Sequence, residues 1–372
     1  MKVLALIDSF KGTLTSAQLG KIITEELKKK NITADYLPIS DGGDGFLDVI
    51  AKAADVITIP VRVRDPLSRP LDSYYLYDEK QSTAYLELAK ASGINLLKKE
   101  ELNPLLASTY GLGQTISAAI RNRAKKIIVG IGGSATNDGG AGMAEALGCR
   151  FFDSSGKLMT GLAGGKLSEI AVIDTKPMQK KIAGSDFVVL TDVTNPLLGE
   201  VGAINVFSRQ KGANYKDMEI LERGLFHYAQ IVEKEGGVFC RNRPGAGAAG
   251  GVGFAFYAFF NASYQSGIEH ILRLIDFKRL VKEYDYIITG EGKIDIQSFY
   301  GKVISEVIRQ ASGKKLILVC AVNELSSSQT NEFKINRIYQ VVGTVASKEE
   351  SLAQPEKYFR RLCLMLADDI KK

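Results

Sequence analysis

The chain has 372 residues, of which 45% are hydrophobic and 24% are charged. This composition is typical of a globular protein, and the length allows two domains, each with its own core. The formal net charge of +6 is small for this length, and no RNA- or DNA-binding motif accompanies the basic residues. We therefore expect no nucleic-acid partner.

The cysteines and the apolar stretches of the sequence indicate the cellular compartment in which we expect the protein. The four cysteines lie far apart along the chain: Cys149, Cys240, Cys320 and Cys363. This spacing argues against a zinc site or a dense disulfide framework and favours a reducing compartment. The apolar N-terminal stretch is too short for a signal peptide. The uncharged run 245–268 is interrupted by glycines and polar residues, so it predicts a buried glycine loop and core helix. We expect a cytoplasmic protein with no membrane partner.

Both ends of the chain alternate short apolar strands with helical patterns. The predicted strands are 3–8, 36–39, 286–289, 315–321 and 337–342. The predicted helices are 15–30, 46–54, 303–311 and 355–370. This alternation predicts the α/β class, with a flavodoxin-like parallel sheet assembled from both chain ends.

The middle of the chain has a different texture, with β-rich segments followed by helices. Its predicted strands are 56–63, 73–77, 83–88, 126–131 and 187–191. A proline among polar residues near Pro66 is typical of a domain boundary. We predict one discontinuous domain, 1–63 with 283–372, and a second α/β domain, 64–282, inserted into it.

Polar, glycine-containing loops follow many of these strands. Phosphoryl transfer requires backbone donors around phosphates, carboxylates for Mg2+ and cations for developing charge. The first loop, 8–13, contains Lys11, which suits a phosphate or carboxylate, although an ordinary turn fits equally well. The second loop, 40–45, contains three glycines with Asp41 and Asp44. These aspartates suit a metal or a hydroxyl substrate, and a tight turn with a helix cap is the alternative.

The third loop, 130–142, has the strongest pattern, because six of its thirteen residues are glycine. It follows a predicted strand and leads into a helical segment, 141–147, so that backbone N–H groups and a helix N-terminus can meet an anion. It is not a Walker A loop, since no Gly-Lys-Ser/Thr follows. It is also a poor Rossmann fingerprint, because no acidic residue ends a second strand at the required distance. The pattern predicts phosphate binding.

The fourth loop, 191–196, places Asp192 at a strand end. This residue is a candidate Mg2+ ligand or base, and an Asx turn before Pro196 is the structural alternative. Downstream, the segment 207–213 contains two cations and an amide, including Lys211. Phosphate binding and a solvated helix end fit this segment equally well.

The fifth loop, 244–253, is a second glycine cradle that lacks polar side chains. It suits either backbone contact with a ligand or close helix packing. The sixth loop, 289–295, has two carboxylates, the second at Asp295, with lysines around them. The two histidines, His227 and His270, lie in helical stretches without ligand spacing, which indicates structural roles and disfavours a Ser-His-Asp triad.

Taken together, these motifs resemble the type I glycerate kinase family. The matching motifs occur in the family's order over nearly the whole chain: 8–12, 41–45, 130–142, 192–197, 210–213, 244–253 and 289–295. The resemblance implies ATP-dependent phosphorylation of D-glycerate, with the 2-phosphate favoured over the 3-phosphate, in glyoxylate, sugar-acid or serine breakdown. The chain departs from the family at Ser208-Arg209, where Gly-Pro is common, which leaves fine specificity open.

On this resemblance we assign roles from side-chain chemistry, with ATP and Mg2+ as cofactors. The catalytic residues are expected to be Asp192, Asp295 and Lys11, the two aspartates holding Mg2+ or positioning the hydroxyl. Substrate-binding residues are expected to be Ser9, Asp41, Asp44, Lys211 and Lys293. Nucleotide- and phosphate-binding residues are expected to be Gly132, Gly133, Ser134, Asn137, Asp138, Gly247, Gly250 and Gly251. The active site is expected between the domains, where closure shields the transfer from water.

Two rival functions remain at this point. One is an oxidoreductase that binds a dinucleotide on the loop around Gly132, and the carboxylate-rich loops weigh against it. The other is a non-catalytic sugar-acid sensor on the same fold, and the many intact polar motifs weigh against that. We expect a small-molecule substrate and either a monomer or a homodimer.

Overall fold

The computed structural model describes residues 1–40, 42–43, 45–299, 303–311, 313–333 and 335–371. Two of the predicted substrate-binding residues, Asp41 and Asp44, lie outside the described residues. The chain divides into two compact units. The first unit comprises Met1–Asp41, Lys52–Ala54 and Ile268–Lys372, and the second comprises Gly42–Ala51 and Asp55–Gly267. The predicted domain boundaries, 1–63 with 283–372 and 64–282, stay a prediction.

Strands and helices alternate along the described chain. The strands are β1 (Lys2–Ile7), β2 (Thr33–Tyr36), β3 (Ile57–Arg64), β4 (Pro70–Asp78), β5 (Thr83–Glu87), β6 (Lys126–Gly130), β7 (Arg150–Phe152), β8 (Leu158–Met159), β9 (Val172–Asp174), β10 (Asp186–Leu190), β11 (Ser263–Gln265), β12 (Tyr286–Ile294), β13 (Lys315–Asn323) and β14 (Arg337–Gln340). The helices are α1 (Ser16–Lys29), α2 (Phe46–Ala53), α3 (Ala89–Ser92), α4 (Tyr110–Arg121), α5 (Ala141–Leu147), α6 (Lys176–Ile182), α7 (Ala203–Phe207), α8 (Tyr215–Gly236), α9 (Ala248–Phe260), α10 (Gly267–Leu274), α11 (Phe277–Leu280), α12 (Val303–Gln310), α13 (Ser327–Glu332), α14 (Lys348–Ala353) and α15 (Pro355–Lys371).

The first unit is built on a five-stranded sheet in the order β14-β13-β12-β1-β2. All of its described strand pairs are parallel. Numbered within this sheet, the order is 2-1-3-4-5, which is the flavodoxin-like order. The predicted α/β class is therefore confirmed. Because the strands are parallel, the loops after β1 and β12 leave the same edge of the sheet.

Helix α1 shows how local sequence directs the first unit. Thr15 Oγ1 accepts a hydrogen bond from the Gln18 N–H, and Gln18 Oε1 accepts one from the Thr15 N–H, which forms a capping box. Its apolar face, with Leu19, Ile23 and Leu27, is fully buried in the core of this unit. The helix predicted at 15–30 is thus confirmed, because capping and periodicity agree.

The second unit is built on a six-stranded sheet in the order β11-β10-β6-β5-β4-β3. The pairs from β11 to β5 are parallel, whereas β3 and β4 pair antiparallel at one side. A smaller antiparallel sheet has the order β8-β7-β9. Helix α9 is buried along most of its length, which confirms the predicted glycine loop and core helix. Among the described residues, no helix is long and apolar enough to cross a membrane.

Two predicted elements are wrong in their bounds. The second strand was expected at 36–39 but lies at Thr33–Tyr36, because this half-exposed strand needs no apolar run. The sixth loop, expected at 289–295, is mostly strand, since β12 continues to Ile294. There Lys293 and Ile294 stay paired with β13. Pairing with a distant strand satisfies the backbone of the Gly-Glu-Gly segment, and local sequence does not reveal that pairing.

Candidate active site

In the second unit, three parallel strands end at one level and place their loops side by side. Glu87 ends β5, Gly130 ends β6 and Leu190 ends β10, and Gly130 is in register with both of the others. The predicted third and fourth loops start directly after two of these ends. In α/β folds the carboxyl edge of a parallel sheet is where ligands bind.

The start of the second loop packs directly on the third. A Cβ atom at Gly130 would lie 2.5 Å from the Gly42 carbonyl oxygen, and one at Gly132 would lie 2.4 Å from the Gly43 Cα. Any larger residue at either position would push the two backbones apart. The glycines are therefore required by close approach of the two loops, and this proximity was not deduced from the sequence.

Glu87 holds the second loop in place and was missed by the sequence analysis. Its carboxylate is buried and accepts hydrogen bonds from the backbone N–H groups of Gly45 (3.3 Å) and Leu47 (3.0 Å), at the start of α2. A carboxylate at a helix N-terminus is favoured by the helix dipole. The available signal was a lone acidic residue ending an otherwise uncharged, fully buried strand.

The third loop is fixed from inside by Asp138. Its fully buried carboxylate accepts hydrogen bonds from the N–H and Oγ1 of Thr109 (2.8 and 2.7 Å) and from the N–H groups of Gly140 (3.1 Å) and Gly142 (3.2 Å). Burial raises the pKa of Asp138, while these donors oppose the rise. The geometry favours a role in holding the loop rather than touching a phosphate. Thr109 is a second residue that the sequence analysis missed.

Lys211 lies beneath the third loop. Its Nζ donates to Ser134 Oγ at 2.8 Å and to the Thr136 carbonyl oxygen at 2.7 Å, and the residue is only 2% exposed. Burial lowers the pKa of Lys211 to about 7, while the Asp138 carboxylate opposes that fall. The structure therefore brings the predicted residues Lys211 and Ser134 into direct contact.

The tip of the third loop contains buried polar atoms without partners. Among the described residues, Asn137 Nδ2 and Oδ1 and Thr136 Oγ1 are buried and make no hydrogen bond. Most buried polar atoms in proteins are satisfied, so exceptions indicate a bound water, a ligand or a functional rearrangement. Such atoms next to Ser134 are consistent with a loop that receives a polar ligand.

The fifth loop packs against the third and the fourth. Gly247 N–H donates to the Asn195 carbonyl oxygen at 2.9 Å, and Gly139 N–H donates to the Gly250 carbonyl oxygen at 3.0 Å. A Cβ atom at Gly250 would lie 2.0 Å from the Thr136 carbonyl oxygen, and one at Gly251 would lie 2.8 Å from the Gly139 Cα. These contacts give the fifth loop a clear packing role, and its predicted nucleotide contacts stay a prediction.

Asp192 follows β10 in the fourth loop and is half-buried. The loop is shaped by the Val193 N–H, which donates to Thr191 Oγ1 at 3.2 Å. Thr191 itself donates its N–H to the Gln265 carbonyl oxygen next to the end of β11. Asp192 therefore lies on a short, tethered turn at the same sheet edge as the third loop.

In the first unit, the predicted first and sixth loops are adjacent. Asp8 N–H donates to the Gly290 carbonyl oxygen at 2.8 Å, and the Asp8 side chain accepts from the Ser9 N–H at 2.7 Å. Lys11 is exposed at the tip of the turn. A Cβ atom at Gly292 would lie 3.3 Å from the Phe10 Cα, so β12 passes close behind this turn.

Lys293 and Asp295 lie at the end of β12 in the same unit. Lys293 Nζ forms an ion pair with Glu324 at 2.8 Å and lies 3.6 Å from the Asp295 carboxylate. The Asp295 N–H donates to Ser298 Oγ at 3.2 Å. The structure thus sorts the predicted site residues into two groups, one in each unit.

Comparison with known proteins gives one consistent result. The model of the glycerate kinase family matches residues 3–371. The glycerate kinase of Bacillus subtilis is 35% identical over 375 residues, covering 100% of this chain and 98% of that protein. The glycerate 2-kinase of Escherichia coli is 33% identical, covering 94% of this chain and 93% of that protein. A crystal structure assigned to glycerate kinase 2 of Salmonella typhimurium LT2 has a TM-score of 0.79 and 32% identity, covering 100% of this chain and 98% of that one.

Proposed function

The chain belongs to the glycerate kinase family, and we propose that it transfers the γ-phosphoryl group of ATP to a hydroxyl of D-glycerate. The observation that best supports this is the third loop, whose Ser134 rests on the buried Lys211 at the carboxyl edge of a parallel sheet. We further propose the 2-hydroxyl as the acceptor, since one relative is named a glycerate 2-kinase.

The third loop supplies a phosphate cradle. Ser134 Oγ accepts from Lys211 Nζ, so its own hydroxyl proton is directed to another acceptor, which we assign to a phosphate oxygen. Gly132 and Gly133 present backbone next to it, and Gly133 has a φ of +72° that favours glycine. The buried Asn137 amide is the natural further donor once a ligand is bound.

Lys211 and Lys11 supply positive charge in two different ways. Lys211 is buried and acts through Ser134 and the loop backbone, so that in its protonated form its charge stabilises negative charge on the transferring group without moving. Lys11 is exposed on a turn, and we propose that it contacts a phosphate or the substrate carboxylate. Lys293 forms ion pairs with Glu324 and Asp295, so binding an anion there would compete with these two carboxylates.

In the proposed step, the glycerate hydroxyl oxygen forms a bond to the γ-phosphorus of ATP while the bond from that phosphorus to the bridging oxygen breaks. ADP leaves with the bond's electron pair, and the hydroxyl proton passes to a carboxylate. We assign the carboxylate role to Asp192 or Asp295. Asp41, Asp44 and Ser9 are proposed to bind the hydroxyl and carboxylate groups of glycerate.

The carboxylates Asp192 and Asp295 also fit Mg2+. Among the described residues, no group of three or more His, Cys, Asp or Glu side chains is arranged so that it could hold a metal ion. Mg2+ in kinases commonly takes one or two carboxylates together with substrate phosphates and waters, so single aspartates match its usual donor set. When bound, Mg2+ neutralises charge on the phosphate oxygens.

An ADP-release screen over small hydroxy acids, with ATP and Mg2+, tests the proposal. D-glycerate is expected to give the fastest release, and L-glycerate and lactate are the matched controls. Ligand binding without ADP release would indicate the sensor instead. The oxidoreductase alternative is tested by titrating the protein with NADH, followed by NADH fluorescence, and separately with ATP. The match to the glycerate kinase family does not favour this alternative. A cytoplasmic location and a monomer or homodimer stay predictions.

A further inference from the structure

The second unit contains an open cleft with a volume of about 690 Å3. One wall is formed by β3, from Ile59 to Arg62, and the other by α4, including Tyr110, Gln114 and Arg121. Lys181, near the end of α6, closes one side. No lining residue belongs to any of the six predicted loops, so this cleft is separate from the proposed phosphate cradle.

The charge of the cleft is one-sided. Three cations line it, namely Arg62, Arg121 and Lys181, and no Asp or Glu is among its lining residues in the described part of the chain. Among the described residues none of the three forms an ion pair, although Arg121 Nη1 donates to Ser117 Oγ at 2.9 Å. The whole chain contains 48 basic and 42 acidic residues. A concave surface with three cations that form no ion pair with the described residues therefore departs from the nearly equal numbers of positive and negative charges in the chain. Cations of one sign around a concavity attract and concentrate anions.

The remaining lining suits an organic molecule rather than a bare ion. Ile59, Pro60 and Val61 give apolar surface beside the cations, and the Arg64 guanidinium lies over the Tyr110 ring, 5.0 Å from its centroid. Gln114 Oε1 accepts from the Arg64 N–H at 2.8 Å, which leaves the Gln114 NH2 group as a donor at the wall. Small-molecule sites are concave and mostly apolar, with a few placed polar groups; this cleft lies within their usual range of volumes but has a more polar lining, which suits a charged ligand.

We propose that this cleft binds a small organic anion with at least two negatively charged groups, either phosphates or carboxylates. Arg62 and Arg121 are suited to hold such groups, because a guanidinium binds phosphate or carboxylate through two parallel hydrogen bonds. Lys181 adds a third charge across the cleft.

The test compares two variants with the same charge change. The cleft variant combines Arg62→Gln, Arg121→Gln and Lys181→Gln. The control variant combines Arg123→Gln, Lys125→Gln and Lys180→Gln, which removes three exposed cations of the same region that do not line the cleft. Circular dichroism and Tm establish that both are folded. If the triple cleft variant does not fold, Lys181→Gln alone replaces it, since this residue lies on an exposed helix face.

Calorimetric titration uses fructose 1,6-bisphosphate as the phosphate probe and citrate as the carboxylate probe, in about 150 mM KCl to screen weak surface attraction. We expect one probe to bind the unaltered chain and the control variant equally, and the cleft variant at least about tenfold more weakly. The better probe identifies the charged group. Equal binding by all three proteins, or no binding of either probe up to about 5 mM, would overturn the proposal.

Discussion

Lys211 and Ser134 are 77 residues apart in sequence, yet Lys211 Nζ donates to Ser134 Oγ across 2.8 Å in a buried environment. The same ammonium group donates to the Thr136 carbonyl oxygen. A lysine without an ion pair is costly to bury, so its presence beneath a glycine loop indicates a function beyond packing.

Removing the Lys211 charge is expected to impair turnover without unfolding the protein. In Lys211→Met the apolar stem remains, while Ser134 loses its donor and the third loop loses its cation. We predict that kcat with D-glycerate falls at least about hundredfold, as for other lost electrostatic contacts to a transition state. Lys216→Met, an exposed lysine on α8, is the matched control and should retain full turnover. Normal kcat in a folded Lys211→Met protein would contradict the role.

Because the pKa of Lys211 is lowered in the folded chain, we expect the free energy of unfolding to depend on pH. Burial lowers the pKa of Lys211 to about 7 from its ordinary value of 10.5. Between these values the unfolded chain binds a proton that the folded chain has lost, so the free energy of unfolding rises with pH. Below pH 7 both states hold the proton and this contribution is constant. Between the two pKa values of Lys211, the free energy of unfolding rises by up to about 1.4 kcal/mol per pH unit.

Urea unfolding of the unaltered chain and of Lys211→Met from pH 6 to pH 9 isolates this contribution as a difference between the two proteins. We expect the difference in unfolding free energy to be flat below about pH 7 and to grow above it in favour of the unaltered chain. A difference that is constant over the whole range would show that the pKa of Lys211 is not lowered.

Gly250 is expected to be essential for the packing of the fifth loop on the third. Its φ is +68°, and an added Cβ would lie 2.0 Å from the Thr136 carbonyl oxygen. Gly184→Ala is the matched control, since its φ is +90° and no atom of the described residues beyond its chain neighbours lies within 4 Å of its Cβ position. We predict that Gly250→Ala lowers the free energy of unfolding by about 3 kcal/mol more than Gly184→Ala does, by overpacking. Equal losses of unfolding free energy in the two variants, measured by chemical denaturation, would mean that the third and fifth loops can move apart at little energetic cost.

Much of the scaffold was predictable, because local signals agreed with the tertiary contacts. The helix after the third loop has the predicted bounds, Ala141–Leu147, and α1, at Ser16–Lys29, lies within one residue of its predicted bounds, 15–30. The sequence did not reveal that Lys211 is buried, because its partner lies on a distant loop. Nor did it reveal Glu87 as the anchor of the second loop, since that role depends on the register of β5 with β6.

Glu87 is expected to act as a positioning residue for the second loop. Glu87→Gln keeps the size but replaces one accepting oxygen with an NH2 group that opposes the Gly45 or Leu47 N–H. We predict that the KM for D-glycerate rises about tenfold while the KM for ATP stays unchanged, because the loss of one buried acceptor costs about 1–3 kcal/mol at that loop. Equal rises in both KM values would indicate a general structural effect instead.

Asp192 and Asp295 are expected to be required for the chemical step. Asp192→Asn and Asp295→Asn keep the shape of each side chain and remove its charge. We predict that kcat falls at least about hundredfold in at least one of them, and that this variant needs a higher Mg2+ concentration. Asp186→Asn, an exposed aspartate at the start of β10, is the control. Near-normal kcat in both folded variants would refute the assignment of metal ligand and base.

Phosphorylation of D-glycerate by this chain is tested most directly by 31P NMR of the product after incubation with ATP, Mg2+ and D-glycerate. We predict a phosphomonoester whose phosphorus couples to the single proton on C2, together with an equal amount of ADP. Intact ATP and unmodified D-glycerate after incubation with the folded protein would contradict it.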